Sequence, residues 1–433
     1  MAIEDNASIA LIPSGYKSGK VYSVIPDDGD GDFTFSRSNT TATRVAASGL
    51  IENVSSNVPR LNYPLIDGVV QDCPALLLEP SRTNYLERTE EFNNSYWTKY
   101  STSVTANQTT APNGSNGADK LIENTSTTQH EIGRAFGFTS GTTYIVSVFA
   151  KTNGRNLQIR GGNTNTWPGN ANFDLVNGIV QSVSLGTAYI ENYGNGWYRC
   201  TVKATASVSS TTNVNFRLVE GTLSTYTGDG SSGVFLWGAQ NEIGLYPTSY
   251  IPWDGSGTTT RSADACYGSG GTAEFNSTEG VLYGELATLD KNDTSDRRIS
   301  INGGTSNVVR LTYTAAANRL YAVIYVGGST QWATFYGLVN SQEFNKVAVK
   351  YKPNDFSFYV NGYEVQSQAS GNTFSTNALN DLDFDNGGGS QDFYGKTKQL
   401  MTFKTALSDS DLETLTSWDS FTAMAKGQLY TIE

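Results

Sequence analysis

The feature that constrains this chain most is a period of two. Short runs alternate apolar and polar side chains and are cut by Gly and Asn at 143–150, 156–160, 196–204, 214–219 and 233–239. The same texture returns at 280–289, 298–302, 308–314, 319–326, 331–336, 345–352, 355–360 and 395–403. Alternation puts successive side chains on opposite faces of an extended strand, so one face lines a core while the other meets water. Gly194-Asn-Gly-Trp and Val360-Asn-Gly-Tyr supply the positive-φ positions of tight hairpins. A helical period stands out in one place, 408–421, where Leu412, Leu415 and Trp418 share a face and Ser410 with Glu413 reads as a capping box. The chain reads as all-β with one short C-terminal helix.

Composition agrees with that fold class and narrows the chemistry. At 433 residues the prior is about three domains, or two large all-β ones. Charged residues make up 16%, against roughly 25% in an ordinary globular protein, and Ser, Thr, Asn and 44 Gly fill the difference. Aromatic residues at 12% exclude disorder. A net charge of −12 sets the overall field against phosphate backbones, so nucleic acid is not an expected partner. The single histidine, His130, sits in an alternating stretch and reads as a strand residue, and one imidazole cannot build a two-histidine metal centre. Cys73, Cys200 and Cys266 are too few and too scattered for a disulfide framework or a Cys-x-x-Cys site. They are expected as reduced, mostly buried thiols of a chain made in a reducing cytoplasm. Residues 1–20 lack a basic region followed by an apolar one, and no run approaches the 18 apolar residues of a membrane span. Membrane insertion is therefore not expected.

Three segments separate by texture. Residues 1–87 hold Pro13, Pro26, Pro59, Pro64, Pro74 and Pro80, with short strands at 20–25, 33–35 and 75–78. Proline does not feed a ladder, so these strands are brief or at edges. The segment reads as a turn-rich arm that gains stability by packing on a neighbouring domain or subunit. Residues 88–262 and 263–433 each read as a β-sandwich, joined through Tyr246-Pro-Thr-Ser-Tyr-Ile-Pro-Trp253 and a Gly/Ser/Thr linker.

The last segment carries Phe344-Asn-Lys-Val-Ala-Val-Lys-Tyr351, Phe358-Tyr-Val-Asn-Gly-Tyr-Glu-Val365 and Gly395-Lys-Thr-Lys-Gln-Leu-Met-Thr-Phe403, with Ser408-Asp-Ser-Asp-Leu-Glu after them. In these stretches it resembles the laminin-G/concanavalin-A-like jelly roll. A second set comprises Phe33-Thr-Phe-Ser-Arg-Ser38, Thr41-Ala-Thr-Arg-Val45, Gly49-Leu-Ile-Glu52, Asn57-Val-Pro-Arg60 and Cys73-Pro-Ala-Leu-Leu-Leu-Glu-Pro-Ser-Arg-Thr-Asn84. Phe92-Asn-Asn-Ser-Tyr-Trp97, Trp237-Gly-Ala-Gln240 and Tyr246-Pro-Thr-Ser-Tyr-Ile-Pro252 complete it. This set is similar to a module of bacteriophage structural proteins. The two resemblances imply an N-terminal assembly arm (1–87), a carbohydrate-binding-like jelly-roll sandwich (88–262) and a laminin-G/concanavalin-A-like sandwich (263–433). They also imply a virion component: a head or tail fibre, spike or decoration protein.

Glycan binding requires flat apolar faces flanked by hydrogen-bonding groups. Trp167 and Tyr193 in the second segment, and Tyr325, Trp332 and Tyr336 in the third, are the candidates. Trp167 lies in what reads as an exposed loop, whereas Trp197, Trp237 and Trp418 read as core. Calcium is the ion such folds often bind, and Asp381, Asp383 and Asp385 fall on one face of a strand, as a solvent edge or a Ca2+ site. Asp27-Asp-Gly-Asp-Gly-Asp32 fails the EF-hand pattern and reads as an acidic turn. Glu274-Phe-Asn-Ser-Thr-Glu279 lacks the central carboxylate of a glucanase strand and also reads as a turn. A pair from distant strands, such as Asp290 with Asp383, is the remaining route to hydrolysis. The expectation is a non-enzymatic virion protein with no catalytic residues. It is anchored by its arm to other virion proteins, forms a homo-oligomer (a trimer), and binds host-surface polysaccharide. A ligand-free decoration protein and a polysaccharide depolymerase are the alternatives.

Overall fold

The computed structural model describes residues 2–291, 295–316 and 318–430. Strands make up 48% of it and helices 4%, so the all-β expectation holds. In the first sandwich, one six-stranded antiparallel sheet runs Thr98–Tyr100, His130–Phe138, Ser210–Val219, Asn156–Gly161, Asn170–Asp174, Ile179–Leu185. The other runs Thr102–Thr109, Ala118–Glu123, Gly233–Ile243, Thr143–Asn153, Tyr198–Thr205, Thr187–Asn192. Alternate residues of the central strands, among them Val146, Val148, Leu157, Ile159, Phe216 and Leu218, close the core between them. Their neighbours Phe149 and Trp237 are buried on the opposite face, against Ile51 and Tyr250. His130 is a strand residue, as expected, with Nδ1 2.9 Å from the Ser101 carbonyl. Cys200 and Cys266 are buried free thiols, while Cys73 is exposed.

The second sandwich pairs a five-stranded sheet with an eight-stranded one. The five strands run Ser329–Gly337, Arg319–Val326, Val308–Tyr313, Arg297–Asn302, Asp381–Asp383. The larger sheet runs Tyr363–Gln368, Phe356–Val360, Asn345–Tyr351, Gly280–Thr288, Gly395–Phe403, and is then continued by the N-terminal segment. Ile9–Leu11 pairs with Gly395–Phe403 over residues 400–402, and Ala75–Leu78 pairs with the same strand over 395–397. Two short strands thus lie end to end along an edge that would otherwise leave backbone donors and acceptors unpaired. Ile9, Leu11, Val21, Phe33, Phe35, Leu76 and Leu78 enter the same core as Ile299, Leu311 and Val349. The N-terminal segment is therefore the second sandwich's own edge, and the packing partner expected for it is this chain's far end. At the predicted hairpin, Val360 pairs with Tyr363 across Asn361 (φ 51°) and Gly362 (φ 89°).

A buried ion network ties the segments together. Arg60 bridges Glu79 at 2.5 Å and also grips Asp264; Arg37 meets Asp264 at 3.1 Å, and Arg261 meets Glu79 at 2.9 Å. Glu79 also accepts from the Ser249 backbone N–H and hydroxyl. Burial pushes the Glu79 carboxyl upward, but Arg261, Arg60 and Ser249 outweigh it and hold the group well below the usual carboxylate range. Such a network tolerates no missing member: leaving one buried charge unpaired costs about 3–5 kcal/mol. Nearby, Asn84 donates to the Ala239 and Ile251 carbonyls, and Gln240 accepts from the Ile251 N–H. The stretches that carried the phage-module resemblance supply Arg37, Arg60, Glu79, Asn84, Gln240 and Ser249 to this junction.

The C-terminal helix differs from expectation. It spans Asp409–Thr416 and is capped by Ser408, whose hydroxyl accepts from the Asp411 N–H at 3.2 Å. Ser408 keeps an extended backbone (ψ 157°), so the cap falls there and not at Ser410. The chain leaves the helix at Ser417, and a second helix, Phe421–Gly427, folds back beneath Trp418. Trp418 is consequently half-exposed rather than core.

Candidate functional site

Two expected glycan-binding residues are structural. Trp167 is fully buried: its indole lies parallel to Phe138 (10°, 5.6 Å) and its Nε1–H donates to the Ala204 carbonyl. The loop folds inward because Gly161 and Gly169 leave room for the ring; a Cβ on Gly169 would sit 2.4 Å from it. Those glycines were the missed signal. Trp332 is 3% exposed and stacks on Phe356. It pairs with core-facing Ile324, so along its strand Trp332 and Tyr336 point inward while Ala333 and Phe335 point out. Tyr336 is half-buried and lines a pocket of about 580 Å³ with Tyr363, Trp418 and Tyr430. Tyr193 is half-buried edge-on to Phe149 and lines a cleft of about 1050 Å³ between the sandwiches.

Tyr325 lies in the most suggestive setting. On Arg319–Val326, Leu320, Ala322 and Ile324 enter the core, which turns Arg319, Tyr321, Val323 and Tyr325 to the other face of the five-stranded sheet. Tyr321 pairs in register with Phe335, and the two rings stack at 4.4 Å and 27°. Phe335 is 57% exposed, with the Arg319 guanidinium 4.6 Å from its ring centre. On the next strand Arg310 lies opposite Val323, its guanidinium 5.4 Å from the Tyr325 ring centre. Tyr325 lies close enough to both Arg310 and Tyr321 to interact with them electrostatically. Arg298, one strand further, is held by Asp296 at 2.8 Å. An aromatic platform flanked by N–H and O–H groups thus crosses four strands. Sequence reading chose Tyr325 but missed Tyr321 and Phe335, because it did not establish which face of each strand enters the core.

Past Arg298 the same sheet ends in acid. Asp381 and Asp383 lie on the edge strand Asp381–Asp383 and Asp385 in the bend just after it, where the sequence predicts all three on the strand; with Asp392 they line a pocket of about 690 Å³. Asp383 accepts from the Gly268 N–H at 2.6 Å and from Asn302 Nδ2 at 2.7 Å, and Asp385 accepts from the Gly387 N–H. Burial, then Asp383 and Asp385, push Asp381 up to about 6. Oxygens of Asp383 and Asp385 are already engaged, and among the described residues no three acidic, His or Cys side chains converge to hold a metal ion. Asp290 lines the inter-sandwich cleft and Asp383 the acidic pocket, so this carboxylate pair does not share a site. Glu274 lies in a turn ahead of Gly280–Thr288.

Residues 287–413 match the family described as the concanavalin A-like lectin/glucanases superfamily. The C-terminal domain is concanavalin A-like, and the match covers the whole aromatic platform. No curated protein matches the chain. Among solved structures, the Ruminococcus gnavus IT-sialidase CBM40 is similar at 17% identity and a TM-score of 0.28, over 33% of this chain and 84% of that one. The leech intramolecular trans-sialidase, at 14% identity and a TM-score of 0.28, is matched over 34% of this chain and 24% of its own. The NanB sialidase from Streptococcus pneumoniae, at 16% and 0.27, is matched over 34% and 25%. The chain thus spans about a quarter of the length of those two sialidases.

Proposed function

We propose that this chain is a bacteriophage virion protein, displayed on the particle as a fibre, spike or decoration component, whose concanavalin A-like sandwich binds host-surface polysaccharide. The carrying observation is the solvent-facing Tyr321/Phe335 pair beside Tyr325, Arg310 and Arg319. Stacked rings offer an apolar plate to sugar C–H groups, and the flanking donors meet hydroxyls. Support for the virion setting is the resemblance of the stretches that meet at the buried network. Anchoring to other virion proteins and assembly as a homotrimer belong to the same proposal. The edge strand Ile179–Leu185 offers an apolar surface for assembly, with Ile179, Val183 and Leu185 51%, 44% and 45% exposed. The reading assigns binding and no bond cleavage.

Cryo-EM of the phage particle, with an antibody fragment raised against residues 329–337, tests it. Density for the second sandwich projecting outward, with the fragment bound, is expected. A sandwich packed into the shell or tail wall, inaccessible to the fragment, overturns the display of this face.

A further inference from the structure

The aromatic platform carries a positive charge that the protein does not balance. Arg310 is only 7% exposed, forms no ion pair among the described residues, and its Nε has no hydrogen-bond partner. Arg37, Arg60, Arg261 and Arg217 are similarly buried, and each grips a carboxylate. The acid nearest along the sheet, Asp296, is already held by Arg298 and by the Ala315 N–H. Burial and the neighbouring Arg298 guanidinium together push Arg310 below its ordinary value. A desolvated guanidinium without a counter-ion is costly, and a ligand carboxylate meeting its planar fork offsets that cost through charge-assisted hydrogen bonds.

We infer that this face takes an acidic polysaccharide. A sugar carboxylate sits on Arg310 with Arg298 beside it and the Tyr325 hydroxyl donating, while the sugar ring lies on Tyr321 and Phe335. The inference rests on the glycan-binding reading of the same face and adds the class of sugar. The protein's net charge of −12 sharpens it, because the overall field repels a polyanion and binding must come from a local site.

The test is calorimetric titration of the intact chain with polygalacturonate, alginate and hyaluronan, and with the carboxyl-reduced form of each, at physiological ionic strength, about 0.15 M. At least one acidic polymer is expected to bind tenfold or more tightly than its reduced form, with Arg310→Gln removing that difference. Tyr325→Phe keeps the ring and removes the hydroxyl, so it lowers the same preference even if Arg310→Gln fails to fold. Equal affinity for acidic and reduced polymers, or an acid preference unchanged in folded Arg310→Gln or in Tyr325→Phe, overturns the inference and leaves glycan binding standing. Binding to none of the six overturns both.

Discussion

Three aspartates crowd one margin of the second sandwich, and Asp383 and Asp385 have hydrogen-bond partners that Asp381 lacks among the described residues. Burial, with Asp383 and Asp385 adding repulsion, raises Asp381 from 3.8 to about 6. A raised carboxyl pKa means that the fold prefers the protonated form. Its stabilising contribution is complete below the ordinary value and is lost as pH rises through about 6. Melting temperature should therefore fall between pH 4.5 and pH 7 in the wild type more than in Asp381→Asn, and the variant should be the more stable at pH 7. Parallel melting curves for the two proteins across that range would argue against the assignment. At this scale the sequence was legible in part: the three carboxylates were visible by alternation, whereas the hydrogen bonds of Asp383 come from Gly268 and Asn302, far away along the chain. Trp167 and Trp332 were misjudged because indole size attracts attention, while burial was decided by two glycines and by strand parity.

Elements were read best where partners are neighbours in sequence. Arg319–Val326 and Gly395–Phe403 fall where alternation put them, since each run is long enough to show its period. The pairing of Ile9–Leu11 with Gly395–Phe403 was not legible: three residues carry too little pattern, and their partner lies some 390 residues away. Its energetic weight is nevertheless large, because Leu11 is fully buried in the second core. Leu11→Ala should cost about 2–5 kcal/mol in chemical denaturation. It should also speed amide exchange in residues 395–403 more than in the first sandwich. Unchanged exchange in that strand would show that the N-terminal segment does not support the second sandwich.

For the whole molecule, the buried network of Arg37, Arg60, Glu79, Arg261 and Asp264 joins the N-terminal segment to both sides of the inter-sandwich connection. That junction gathers stretches scattered from residue 33 to residue 252: those carrying Arg37, Arg60, Glu79 and Ser249 each place a side chain in it. It also fixes the second sandwich, so its aromatic platform is presented by a braced sheet rather than a loose arm. Rigid presentation keeps the ordering cost of binding small. The fold class was open to reading from period and composition, but the platform was not, because it is assembled from four strands by register. Its role as a glycan-binding face is the central claim. The most direct test is a glycan array probed with the intact chain and with a Tyr321→Ala/Phe335→Ala variant of matched melting temperature. The account predicts wild-type binding to a defined set of bacterial surface polysaccharides, weakened more than about tenfold in the variant, which corresponds to about 1.4 kcal/mol or more. Equal binding by the two proteins, or no wild-type binding to any glycan, would contradict it.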